Sequence, residues 1–224
     1  MSYVGAALSP RETKKLVLGR GSYIGDLTAP GMLHAAFVRS PHAHARILRI
    51  DTAAARRLPG ISAVLTGHDL ARVTAPLRIA PPIEGLLPME MTTLPTDKVR
   101  FVGDLVACVI GAERDQVEDA CALVDIEYAP LSAVIDAERA QDSGVPLVDE
   151  TIPANRAYQG VFAHGDVVAA FGAADRIVEV GFHQGRQTHV PMEPRGCLAS
   201  WQPGDETLTF WHSTQIPHPM RSAL

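Results

Sequence analysis

A chain of 224 residues with 46% apolar and 20% charged residues is long enough to bury roughly 70% of the surface its unfolded form exposes, and its composition argues against a disordered tail. Its 25 acidic and 20 basic side chains give a net charge of -5, with Lys and Arg scattered along the chain, which argues against a nucleic-acid-binding stripe. No apolar run approaches the ~20 residues of a membrane span, and MSYVGAALSPRETKK is only briefly apolar before its charges, so neither export nor membrane insertion is indicated and a cytoplasmic protein is expected.

The pattern of short apolar segments between Pro- and Gly-marked turns is mixed α and β. Residues 32–38 and 46–50 read as strands, followed by an Ala-rich helix over 52–58 that Pro59-Gly60 stops, and a strand resumes over 61–65. Residues 71–96 carry several prolines and read as a long excursion without regular structure, of the kind that is functional or covered by a partner more often than idle. A strongly apolar strand is predicted over 105–110. Val117, Ala120, Cys121 and Val124 then mark one face of a helix, and a strand returns over 125–128. Strand, helix and strand in that order suggest a crossover unit.

Residues 140–155 are polar and rich in turn formers, the best candidate for a boundary or extended connection. Beyond it, Gly165-Asp166 can cap a short helix over 167–171, β-rich segments lie at 177–182 and 207–211, and HPMRSAL at the end reads as the first turns of a helix. Three widely separated cysteines, Cys108, Cys121 and Cys197, read as reduced, buried thiols, and the ~4 closely spaced ligands of an iron–sulfur cluster are not found.

Self-contained chemistry is hard to find. GRGSYIG over 19–25 spaces its glycines as G-x-G-x-x-x-G with no apolar strand before it, which fits turn glycines beside a tyrosine anchor better than a dinucleotide loop. His42 with His44, or His212 with His218, could supply imidazole ligands, yet neither pair has a third ligand in a recognisable spacing, so polar packing is the better reading and no protein-ligated metal is expected. No G-x-S-x-G elbow occurs, and Glu118 with Asp119 reads as a solvated helix face. MEPRG over 192–196 gathers an acid, a proline, an arginine and a glycine, and on its own favours a structural ion pair.

In order, the segments GRGSYIGDL, MLHAAFVRSPHAHARILRIDT, PGISAVLTGHDL, KVRFVGDLVACVI, EDACALVDIEYAPL, MEPRG and STQIPH resemble the large subunits of molybdenum hydroxylases, the xanthine dehydrogenase, aldehyde oxidase and carbon monoxide dehydrogenase family. The resemblance runs from about Gly19 to Leu224. It implies an α+β chain with an amino-terminal arm over 1–18, an α/β hammerhead domain over 19–133, and over 134–224 a linker and the beginning of a molybdopterin-binding domain. It also implies oxidative hydroxylation with water-derived oxygen, with iron–sulfur clusters and FAD carried by partner subunits.

Gln215 matches the glutamine of the family's STQ-like motif, whose amide hydrogen-bonds an oxygen ligand of molybdenum. A neutral amide can donate there without adding charge beside an anionic pterin and phosphate. The alternative for Gln215 is to cap the Pro-containing helix that follows. The family's GGGFG segment, its glutamate base and the cysteine loop of carbon monoxide dehydrogenases have no counterpart here, so the molybdopterin site is expected to be incomplete. The chain, which stops inside a predicted helix, is expected to be a partial large subunit needing a second chain for catalysis; the competing expectation is a truncated, inactive scaffold or interaction module.

Overall fold

The computed structural model describes residues 3–79 and 81–224; Met1 and Ser2 of the predicted arm and Ala80 of the predicted excursion lie outside the described residues. The chain gathers into two compact units, one of residues 31–178 and one of residues 3–30 together with 179–224.

The smaller unit begins with α1 (Thr13–Val17). The larger unit then runs β1 (His34–Arg39), β2 (Ala45–Asp51), α2 (Ala53–Arg56), β3 (Ile61–Thr66), α3 (Gly67–Leu70), β4 (Leu77–Ile79), β5 (Met89–Met91), β6 (Lys98–Val99), β7 (Leu105–Gly111), α4 (Arg114–Cys121), β8 (Asp125–Pro130) and α5 (Val167–Gly172). Back in the smaller unit come β9 (Cys197–Gln202), β10 (Thr207–His212) and α6 (Pro217–Ala223). The sheets of the larger unit are β1-β7-β3, β6-β2-β8 and β4-β5, that of the smaller unit is β10-β9, and their pairings are antiparallel. The expected α+β class is what forms.

Strand β7 reads as an uninterrupted apolar run because both its faces are covered. Ala107 and Val109 pack with Ala55, Val64, Val117, Ala120 and Val124 in one core, and Val106 packs with Ala45 and Val99 in a second. The predicted helical stripe therefore lands where its spacing places it, with α4 against the β1-β7-β3 sheet. Close approach is bought by Gly111, where an added Cβ would come within 2.7 Å of the Gly60 carbonyl and 2.9 Å of a Val117 methyl. Gly60, at φ +85°, supplies the turn that stops the α2 segment.

Several expectations are corrected. The strand, helix and strand around α4 are no crossover within one sheet: β7 has both edges occupied by β1 and β3, so β8 pairs instead with β2. The excursion over 71–96 is not wholly irregular, since a short hairpin pairs Leu77 with Met91. The β-rich segment at 177–182 has no ladder partner among the described residues. Strand β9, unexpected from CLASWQ with its small and polar residues, forms because β10 offers a register from Thr207↔Gln202 to His212↔Cys197. Of the three cysteines expected to be buried, Cys108 is buried, Cys121 is half-buried and Cys197 is exposed. Burial, and secondarily the neighbouring Cys121, pushes the Cys108 thiol up from its ordinary value.

The expected cap at Gly165-Asp166 forms. Asp166 accepts from Ala169 N at 2.9 Å and caps α5, with Gly165 just before it at φ +70°. Residues 140–155 are organised by one side chain: Asn155 Nδ2 donates to the carbonyls of Ala140 and Pro146, both at 2.9 Å, while its Oδ1 accepts from Val148 N at 2.8 Å. Lys98 Nζ, nearly buried, donates to Glu150 Oε1 at 2.6 Å and ties this segment to β6.

Candidate functional site

The segments that carry the motif chemistry converge in the smaller unit. Tyr23 and Asp26 form a reciprocal cap around a single 3-10 turn, Ile24–Asp26, with Tyr23 N donating to Asp26 Oδ2 at 3.0 Å. A Cβ on Gly21 would lie 3.1 Å from the Tyr23 ring, so the glycine-rich loop is a turn folded onto its tyrosine, as the spacing indicated. Glu193 Oε1 accepts from Ile24 N at 3.0 Å, and Gly196 sits so near Ile24 that a Cβ there would be 3.1 Å from its Cγ2. The acid of MEPRG is thus a clip on the glycine-rich turn, 169 residues away in sequence, and not half of the predicted ion pair.

From MEPRG the chain enters β9 and returns along β10, where the rings of Phe210 and His212 stack at 5.4 Å. His212 Nδ1 is buried and without a hydrogen-bond partner among the described residues. Past the strand, Thr214 Oγ1 accepts from Ile216 N at 3.1 Å, and Pro217 opens α6 with its fixed φ and missing N–H. Local backbone needs are therefore met by Thr214 and Pro217. Gln215 sits between them, exposed, and no side chain caps α6. Residues 207–224 contain no Asp or Glu, and Arg221 is their one Lys or Arg, so an anionic group approaching Gln215 meets no acid from this stretch.

The other sequence candidates do not assemble with it. His44 Nδ1 lies 2.8 Å from the Ser132 carbonyl, and the His42 ring packs edge-on against Tyr128 at 4.8 Å, so the two imidazoles go to different partners as polar packing. Arg114 pairs with Glu118 on the exposed face of α4 at 3.0 Å. Among the described residues no group of three or more His, Cys, Asp or Glu is placed to hold a metal ion. A cleft of about 230 Å³ in the larger unit, between α3 and the segment around Leu94, contains none of the sequence-predicted site residues. The Glu193 clip and the His212 packing escaped the sequence reading, because contacts that long-range leave no mark on local spacing.

The larger unit is an antiparallel α+β scaffold, and the hairpin of the smaller unit is followed by an exposed, uncharged amide at Gln215. Residues 18–132 match the family model described as aldehyde oxidase and xanthine dehydrogenase, a/b hammerhead domain, and residues 148–224 match the molybdopterin cofactor-binding domain. The chain belongs to the aldehyde oxidase and xanthine dehydrogenase family of molybdenum oxidoreductases, and what it matches is the amino-terminal portion of their large subunits.

It is 39% identical over 221 residues to the nicotine 6-hydroxylase large subunit of Paenarthrobacter nicotinovorans, covering 99% of this chain and 27% of that one. It is 34% identical over 226 residues to the carbon monoxide dehydrogenase large chain of Afipia carboxidovorans, covering 95% and 27%. Among solved structures, quinoline 2-oxidoreductase from Pseudomonas putida 86 superposes with a TM-score of 0.90 at 36% identity, over 97% of this chain and 28% of that one. The chain spans about a quarter of the length of the curated relatives it matches. No helix among the described residues is long and apolar enough to cross a membrane.

Proposed function

We propose that this chain is part of the molybdopterin-binding large subunit of a cytoplasmic molybdenum-dependent hydroxylase or dehydrogenase, and that it works with polypeptides carrying the remaining molybdopterin-binding sequence, the iron–sulfur clusters and FAD. On this reading residues 19–133 are the hammerhead scaffold, preceded by an arm over 1–18, and residues 134–224 are the linker and the first part of the molybdopterin-binding domain. The observation that carries the proposal is Gln215: an exposed amide that caps nothing, in an acid-free stretch inside the segment matching the molybdopterin cofactor-binding domain.

When bound, the cofactor supplies oxidative hydroxylation with oxygen taken from water. Gln215 would help to hold the cofactor by donating an amide N–H to it, and a neutral amide would do so without adding a charge beside its anionic pterin and phosphate. The clip from Glu193 to Ile24 holds the base of the hairpin that presents it. Of the relatives described, the two with the highest identity are named for nicotine and quinoline, both nitrogen heteroaromatics, which makes that class the first to assay.

The test is to purify the chain from its native cells with whatever accompanies it and measure molybdenum per chain. Near-stoichiometric metal together with a second molybdopterin-domain polypeptide is the expected result; a metal-free, solitary chain refutes the proposal and leaves a scaffold or interaction module. In the assembled enzyme, Gln215→Ala lowers kcat by about 10–100-fold, the usual cost of losing an outer-shell partner, with molybdenum content within twofold of the parent.

A further inference from the structure

Between α3 and the open end of the β4-β5 hairpin the larger unit holds a cleft of about 230 Å³, below the ~300 Å³ at which sites for drug-sized ligands begin. It forms because the hairpin opens. The ladder ends at Leu77↔Met91, Pro76 has no N–H with which to extend it, and the two segments part to become opposite walls, residues 74–76 on one side and residues 92–96 on the other. Gly67, at the start of α3, lies against the main chain of Leu94 and Pro95, where a Cβ would run into the Pro95 carbonyl. That contact fixes one end of the cleft.

The lining offers unpaired hydrogen-bonding groups and no charge. From Thr92 to Thr96 no residue makes a backbone–backbone hydrogen bond to another described residue. Leu94 is nevertheless only 2% exposed, so its N–H and carbonyl are withdrawn from water without main-chain partners, which folds seldom tolerate. Thr74 Oγ1 donates to the Leu70 carbonyl at 3.0 Å, whereas the hydroxyls of Thr92, Thr93 and Thr96 have no partner among the described residues. The carboxylate of Asp69 on α3 accepts from Thr66 N and Oγ1, both at 2.8 Å, and among the described residues no Asp, Glu, Lys, Arg or His lines the cleft. Leu70, Ala71 and Pro76 complete it with apolar surface.

We propose that this cleft binds a small neutral lactam, a ring that carries one cis amide. A charged ligand would lose its hydration there and meet no counter-charge, and a purely apolar one would leave the Leu94 amide unpaired. The lactam carbonyl accepts from the Leu94 N–H, the lactam N–H donates to a threonine hydroxyl, and the ring carbons lie on Leu70 and Pro76. One flat group thus answers each kind of surface in the lining. The site is built wholly from the larger unit, so it depends neither on the molybdenum reading nor on a second chain.

The experiment titrates the isotope-labelled full chain with α-pyridone, and separately with benzene, a ring of the same size without the amide, while main-chain amide shifts are followed by NMR. α-Pyridone moves the amides of Thr92, Thr93, Leu94 and Thr96 saturably with a Kd of about 1 mM or tighter, and those of β9 and β10 stay in place. Benzene binds about tenfold more weakly or not at all. Ala71→Leu, which fills the cleft from an exposed position, weakens α-pyridone about tenfold or more and leaves the β7 shifts, which report the fold of the larger unit, unchanged.

Absence of a saturable shift, saturable shifts only elsewhere in the chain, equal binding of benzene, or undiminished binding by an Ala71→Leu chain with parental β7 shifts overturns the proposal. The two ligands are compared on the parent chain, so that comparison decides the matter even where the variant folds poorly.

Discussion

Removing the carboxylate of Glu150 while Lys98 stays in place should destabilise the chain more than removing the lysine itself. The Lys98 side chain is 4% exposed and that of Glu150 is 67% exposed, with Nζ and Oε1 2.6 Å apart, so the burial penalty falls almost wholly on the ammonium. Breaking a fully buried ion pair costs about 3–5 kcal/mol; here water reaches the carboxylate side and takes over part of the solvation, which brings Glu150→Ala to about 1–3 kcal/mol. Lys98→Met keeps the volume, strands no charge in the interior, and costs less than about 1.5 kcal/mol.

With an m-value of about 1–3 kcal/mol/M in urea, Glu150→Ala lowers the midpoint by roughly 1 M in a denaturation series followed by circular dichroism. The double variant matches Lys98→Met alone. The Lys98 ammonium donating to it holds the Glu150 carboxyl below its ordinary value. Its contribution is therefore complete above the unfolded pKa of 4.5 and is lost as pH falls through the lower folded value. A Lys98→Met variant less stable than Glu150→Ala at pH 7 would refute the reasoning.

Four further outcomes follow from the geometry. Gly67→Ala drives a Cβ into the backbone carbonyl of Pro95, which cannot rotate away, so the melting temperature in a thermal scan drops by several degrees for each 1 kcal/mol lost. Glu193→Ala frees Ile24 N and speeds exchange of that amide by about tenfold, the equivalent of a ~1.4 kcal/mol bond to a charged acceptor, whereas Glu193→Gln retains most of the protection. Hydrogen bonds from the backbone N–H and hydroxyl of Thr66 hold the Asp69 carboxyl below its ordinary value, so its stabilisation is present above about pH 3.8 and fades as pH falls further; the stability difference between parent and Asp69→Ala should close in acid. Burial pushes the Asp104 carboxyl up, against the backbone N–H groups of Arg100 and Leu105. That group therefore favours the fold in its protonated form and loses this contribution as pH rises from 3.8 through the folded value, a slope that Asp104→Asn removes in a urea series across pH.

Where local chemistry decides the outcome, the sequence was readable. The apolar run of β7, the stripe of α4, the stop at Pro59-Gly60 and the Asp166 cap each depend on spacing within about ten residues. What was not readable depends on competition for partners. Strand β8 reads the same whether it pairs with β7 or β2, and only the occupation of both β7 edges decides it. Strand β9 has weak alternation and is formed by its register against β10, while residues 177–182 have strong alternation and no partner among the described residues. At the candidate site, Gln215 is proposed from the STQIPH motif alone; the reach of Glu193 back to Ile24 had no sequence signal.

The fully buried apolar side chains, from Ala45 to Ile152, lie in the larger unit. The smaller unit, which carries Gln215, has none among its described residues, and its order comes from a hairpin ladder, a capped turn and the Glu193 clip. Hydrogen bonds net about 0.5–1.5 kcal/mol each against roughly 1–2 kcal/mol of backbone entropy per residue fixed, so such a unit gains its main stabilisation from whatever covers it. A ligand or strand that binds only its ordered form adds RT ln(1 + [L]/Kd) to its stability and leaves the larger unit's core unaffected. Binding at Gln215 would then be felt throughout the smaller unit, because among its described residues that unit has no buried apolar core of its own to hold its order.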